Sequence, residues 1–184
     1  IAFNLNDVKG LKKNLKKKKI ISHVSNNFSF NDDIKNIKKI VREEILGKVL
    51  SGIVEVGEWL PNWHTYEPYQ DYYPSKKSMG GGLDAICDIS WISDIFGKVS
   101  KISCLANKKT NLEIDTDDIV QIILEYNDGP QIIIHSDMIQ QPSSHKVKFI
   151  CEKGNIIWNY KNSCVEIIFG DSGKKEIVES KNED

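Results

Sequence analysis

The patterning of this chain changes at Gly97, and that change limits the folds open to it. Before Gly97 the apolar residues recur mostly at helical spacing; after it, every apolar run reads as a strand. Ile34, Ile37, Ile40, Val41 and Ile45 form the stripe of an amphipathic helix, with Asp32 or Asp33 as its cap and Gly47 near its end. Residues 5–19 read as a polar helix, capped by Asn4 or Asn6, with Val8, Leu11 and Leu15 as a thin apolar stripe. A short strand is expected at 20–24, and a long alternating one at 48–59. After Gly97, β-rich runs follow at 99–105, 119–126, 131–138, 146–151, 155–159 and 164–169, separated by turn residues such as Asn127-Asp128-Gly129-Pro130. Helices first and strands later predict an α+β domain: an open, largely antiparallel sheet with helices packed on one face. Residues 120–126 and the run Ile132, Ile133, Ile134 place apolar side chains on both faces. The second apolar face predicts a homo-oligomer formed through the sheet. The polar stretch after Gly170 is expected to fray.

Charge and cysteine usage narrow the function classes. The 184 residues are 40% hydrophobic and 28% charged, enough for one domain with a real core. A net charge of −1 gives no global field toward nucleic acid or an anionic membrane, so neither is expected as a partner. The basic run Lys16-Lys17-Lys18-Lys19 closes a helix, where cations complement the dipole. Cys87, Cys104, Cys151 and Cys164 form no C-x-x-C pair, and with the four scattered histidines they give no zinc spacing. Three of the four lie in apolar strand-like runs, where cysteine fits a core position, and a reducing cytoplasm is the expected compartment. Asp115, Asp117 and Asp118 read as an acidic lead-in to a strand rather than a metal cluster. No apolar run reaches the length of a membrane span.

Two segments carry candidate chemistry. The loop at 61–74 holds Trp63, His64, Tyr66, Tyr69, Tyr72 and Tyr73. A loop this rich in aromatic and amphipathic groups reads as functional rather than as a spacer, with Trp63 and His64 as candidate ligand contacts; packing is the alternative role for both. Lys76 and Lys77 are placed to meet a phosphate or carboxylate, or to face solvent. The second segment, Gly80-Gly81-Gly82-Leu83-Asp84, opens an apolar helix that continues through Ile86, Ile89, Ile92 and Ile95. It delivers Asp84 to the positive end of that helix, either as a ligand group or as an ordinary cap.

Several motifs, in this order and spacing, resemble the Gfo/Idh/MocA oxidoreductase family, most of all its members acting on surface sugars and nucleotide-sugars. They are Gly57-Glu58-Trp59-Leu60-Pro61-Asn62-Trp63-His64, then Tyr69, Lys76-Lys77-Ser78-Met79-Gly80-Gly81-Gly82, Leu83-Asp84, and Asn111-Leu112-Glu113-Ile114-Asp115-Thr116-Asp117-Asp118. The resemblance runs over residues 1–160. It implies a C-terminal substrate-binding and oligomerisation domain at 25–170, a remnant of an N-terminal Rossmann domain at 1–24, and a polar tail at 171–184. It further implies that NAD or NADP serves the full-length family while this chain alone binds none. Its expected partner is a sugar or nucleotide-sugar.

Matched residue by residue, the family's catalytic Asp falls on Asp84, its His on Cys87 and a further Asp on Ser90. Its Asn-x-Arg-Phe segment falls on Asn27-Phe28-Ser29-Phe30, which makes Asn27 a cofactor contact and loses the Arg. Gln70 stands where many relatives carry Arg. Trp63, His64, Tyr69 and Lys77 are implied substrate contacts. A thiol at Cys87 is a poor neutral-pH proton shuttle compared with imidazole. No G-x-G-x-x-G follows a strand, and the family's Glu-Lys-Pro motif would fall before Ile1. The chain therefore reads as a domain of a nicotinamide-dependent sugar oxidoreductase that is not catalytic by itself. The alternative is a stand-alone sugar-binding or assembly module from a shortened gene.

Overall fold

The computed structural model describes residues 5–22, 26–64, 66–79 and 90–180. Helix α1 (Leu5–Lys18) ends on Lys16, Lys17 and Lys18. Residues 20–22 carry no strand, and 23–25 lie outside the described residues. Asn6 falls inside α1 rather than capping it. Helix α2 (Asp32–Arg42) is capped by Asn31, whose Oδ1 accepts from the Ile34 N–H at 3.1 Å. The expected caps Asp32 and Asp33 occupy its first turn instead, where carboxylates favour the positive end of the dipole. Helix α3 (Trp91–Phe96) ends at Gly97 with φ 79°, a conformation that glycine adopts without a Cβ penalty.

Eight strands form one mixed sheet, in the order β2-β3-β4-β1-β5-β6-β7-β8. They are β1 (Val49–Gly57), β2 (Val99–Asn107), β3 (Ile119–Tyr126), β4 (Gln131–Asp137), β5 (Ser144–Cys151), β6 (Gly154–Asn159), β7 (Cys164–Phe169) and β8 (Lys175–Glu179). Strand β8 pairs with β7, so part of the stretch expected to fray is ordered sheet. All pairings are antiparallel except β1 with β4. Strand β1 thus joins two antiparallel halves.

The two faces of the sheet differ in cover. Val54, Ile122, Ile134, Val147, Phe149, Ile156, Trp158 and Val165 line one face, and α2 and α3 bury it with Ile34, Ile37, Ile40, Trp91 and Ile92. A polar tie fixes α2 on this layer. Trp158 Nε1 donates to buried Asp33 Oδ2 at 2.9 Å, and Ser180 Oγ donates to the other oxygen of the same carboxylate. The opposite face carries Ile53, Ile123, Ile133 and Ile177, all exposed. No described helix is long and apolar enough to cross a membrane.

Candidate functional site: an aromatic cleft where three strands end

Strands β1 and β4 run parallel, so they finish side by side at Gly57 and Asp137, and β5 begins beside Gly57 at Ser144. The outgoing loops of β1 and β4 therefore leave at the same edge. Glu58 N donates to Asp137 O at 3.2 Å and Leu60 N to Met138 O at 3.0 Å, which continues the register into the loops. Gly57 allows the close approach here, since a Cβ would lie 2.6 Å from Asp137 Oδ2. Asp137 is itself consumed by structure: Oδ1 accepts from Ile139 N and Oδ2 meets His135 Nε2, both at 2.9 Å.

The aromatic loop after β1 is a small core in its own right. Leu60, Tyr72, Leu112, Ile114 and Met138 are buried together, with Trp59, Trp63 and Tyr69 packed against them. The Tyr72 hydroxyl donates to the carbonyls of His64 and Glu67. Its ring meets the His64 imidazole edge-on at 4.9 Å, and Tyr66 stacks on the same imidazole at 5.1 Å. The segment at 108–118 fastens this loop from outside. Glu113 N donates to the Tyr69 hydroxyl at 3.1 Å, Lys77 N to Asp115 Oδ1 at 2.6 Å, and Gln70 Nε2 to Glu113 Oε2 at 2.7 Å. Buried Asp118 accepts from Lys109 N, Thr110 N and the Thr110 hydroxyl. Two of the three aspartates in this acidic segment, Asp115 and Asp118, are thus loop fasteners, and no group of three metal-ligating side chains occurs among the described residues.

Between this loop and the start of β5 lies a cleft of about 420 Å³. That falls within the roughly 300–1,000 Å³ of small-molecule sites. Phe28, Trp63, His64, Tyr73, His145 and Tyr160 supply its rings, and Glu58 and Lys161 sit at its edge. His145 is held among aromatic rings. Its centroid is 4.8 Å from Phe28, 4.9 Å from Trp158 in a T-shaped contact, and 5.9 Å from Tyr160 in a stacked one. Burial in this box lowers its pKa to about 4, so the imidazole is neutral at pH 7. His145 Nε2 and Trp63 Nε1 are both buried without a hydrogen-bond partner, and both belong to residues lining the cleft.

Of the residues anticipated from sequence, Trp63 and His64 meet in this cleft. Tyr69 packs in the loop's own core with its hydroxyl engaged, and the Lys77 side chain is exposed outside the cleft wall. Asn27 opens the 3-10 turn Asn27–Phe30, exposed, one residue before the cleft-lining Phe28. Asp84 and Cys87 lie outside the described residues, as does the glycine run at 80–82. Ser90, just beyond them, accepts a hydrogen bond from Asn26 Nδ2, which ties the Asn27–Phe30 turn to the start of α3. His145 and Tyr160 escaped the sequence reading. Strand parity carried the signal for His145, which falls in step with Val147, Phe149 and Cys151 on the covered face of β5. The Cys151 thiol is pushed up to about 11 by burial and by Glu152, which leaves it an inert core group.

Solved structures share this architecture. An inositol dehydrogenase homolog from Azotobacter vinelandii, complexed with NADH and myo-inositol, superimposes with a TM-score of 0.78 at 12% identity, covering 97% of this chain and 47% of that one. A levoglucosan dehydrogenase in complex with NADH and levoglucosan gives 0.79 at 17% identity, covering 95% and 51%. An oxidoreductase from Pseudomonas syringae gives 0.75 at 13% identity, covering 97% and 47%. The chain spans about half the length of these structures. No curated protein matches it. The sequence model of the GFO/IDH/MocA C-terminal domain matches residues 34–157, from the first buried isoleucine of α2 into β6, and the chain belongs to that family.

Proposed function

We propose that this chain is the substrate-binding and oligomerisation domain of a nicotinamide-dependent sugar oxidoreductase, without redox chemistry of its own. The observation that carries the reading is the aromatic cleft at the converging ends of β1, β4 and β5, with Trp63 and His64 in its wall. Aromatic planes with hydrogen-bonding edges suit a ring that is apolar on its face and hydroxylated on its rim. The fold agrees with that of dehydrogenases solved with myo-inositol and levoglucosan. Asp84 and Cys87 remain the proposed groups nearest the chemistry by family match. Tyr69 and Lys77 act on ligand, in this reading, only through the loop they help to fasten.

The described residues do not fit a nicotinamide dinucleotide. They contain one mixed sheet and no strand–glycine loop–helix unit, the frame that holds a pyrophosphate on helix N–H groups. In the full-length family the nicotinamide supplies hydride transfer, and this chain's part is to bind and orient the sugar. Assembly is assigned to the open face, where Ile53, Ile123 and Ile133 lie side by side across β1, β3 and β4.

A fluorescence titration of the 184-residue chain tests the reading. Levoglucosan and myo-inositol are expected to perturb tryptophan emission saturably, while NADH and NADPH show no binding up to millimolar concentration. Tight cofactor binding would place redox chemistry in this chain and overturn the proposal.

A further inference from the structure

The cleft carries an unused hydrogen-bonding group and a particular charge balance. His145 Nε2 faces no partner although the atom is buried, and burying such a group without a partner is costly. Phe28, Trp158 and Tyr160 close around the imidazole, which fixes its plane. Trp63 Nε1 and Ser144 Oγ are further orphaned buried atoms in the same lining. Among the described residues the charged groups of the wall are Glu58, Asp137 and Lys161, so no described cluster of positive charge faces a phosphate. Of the lysines after the aromatic loop, Lys76 Nζ pairs with Asp71 at 3.1 Å, and Lys77 lies outside the lining.

We infer that the cleft takes an uncharged polyhydroxylated ring, oriented by a hydrogen bond between one ligand hydroxyl and His145 Nε2, and disfavours the phosphorylated counterpart. This rests on the proposed sugar-binding role of the cleft and chooses between the two ligand classes left open by sequence. A neutral imidazole serves a hydroxyl well, because either ring nitrogen state offers a donor or an acceptor. It serves a phosphate poorly, since anion sites rely on cationic donors or clustered N–H groups. His145 is a binding residue here, distinct from the Asp84 and Cys87 positions.

Calorimetric titration of the full 184-residue chain with myo-inositol, levoglucosan and myo-inositol 1-phosphate tests this. His145→Phe keeps the aromatic box and removes Nε2; it should weaken the neutral ligands about tenfold, the loss of one buried hydrogen bond. His145→Gln, which restores a polar group, should recover part of that loss, and thermal unfolding of both variants separates a folding defect from a binding one. Imidazole nitrogen NMR of the unmodified chain should show the His145 Nε2 resonance move on addition of neutral ligand, which a purely structural histidine would not do. Binding by neither neutral ring overturns the sugar-binding reading and this inference together. Equal affinity in His145→Phe, or an unmoved Nε2 resonance on saturation, overturns the role of His145 alone. Binding of myo-inositol 1-phosphate as tight as myo-inositol overturns the preference for an uncharged ligand.

Discussion

Ile133 and Ile134 are neighbours on β4 and meet opposite fates. Ile134 is 2% exposed beneath α2 and α3, whereas Ile133 is 45% exposed on the open face. Both lie beside isoleucines, Ile134 next to Ile122 and Ile133 next to Ile123. The composition of the two faces is therefore similar across these central strands, and the helical cover separates them. That cover is local. Ile102 on the edge strand β2 shares a face with Leu124 and Ile132, yet it is 62% exposed at the rim of the sheet. Apolar alternation marks a strand as able to be buried; what buries it is decided by other parts of the chain.

The largest contrast expected between the faces is at Phe149. It is fully buried, with Trp91 and Phe96 packed edge-on at 6.3 and 5.4 Å, and Gly52 on β1 leaves room for its ring. Phe149→Ala should cost about 3–5 kcal/mol in chemical denaturation. Ile134→Ala should cost about 2–5 kcal/mol, and Ile133→Ala under about 1 kcal/mol in the monomer. Equal costs for the two isoleucines would mean that the open face is covered as thoroughly as the helical one.

His145 sharpens the comparison by showing what burial on the helical side does to a polar group. Its pKa falls from 6.5 to about 4 because burial penalises the cation. In the unfolded chain the imidazole takes up a proton below pH 6.5, while the folded one stays neutral until about pH 4. Stability from this group is therefore present above pH 6.5 and is lost as pH falls through that window, by roughly 3 kcal/mol in total. Urea midpoints measured from pH 7 to pH 4 should fall accordingly in the natural sequence, and His145→Phe should flatten the slope.

Much of this fold was legible in the sequence because strands and turns are local. The bounds of β3 and β7 coincide with their β-rich runs, and α2 follows its isoleucine stripe. What stayed hidden was non-local. The placing of β1 between β4 and β5, parallel to one and antiparallel to the other, has no signature within residues 49–57. Strand β8 was hidden by its charge: Lys175, Glu176 and Glu179 flank Ile177 and Val178, and the register on β7 supplies the order that the polar composition conceals. The site divided in the same way. Trp63 and His64 stood out as members of one aromatic loop, whereas Phe28, His145 and Tyr160 come from three separate segments that only the sheet brings together.

The smallest effect on stability is expected where the effect on assembly is greatest. Ile133→Lys places a charge in the middle of the open-face row Ile123, Ile133, Ile53, which the sheet register sets side by side. An exposed substitution of this kind shifts monomer stability by only about 0.5 kcal/mol. In an oligomer formed through that face, each copy would bury a lysine among isoleucines, and an unpaired buried ammonium is costly enough to prevent association. Size-exclusion chromatography with light scattering should therefore give an oligomer for the natural sequence and a monomer for Ile133→Lys, while the same change at Ile21, which lies outside the sheet, leaves the oligomer intact. A natural chain that runs as a monomer at all concentrations would leave the open face without a partner copy and remove the assembly role proposed for it.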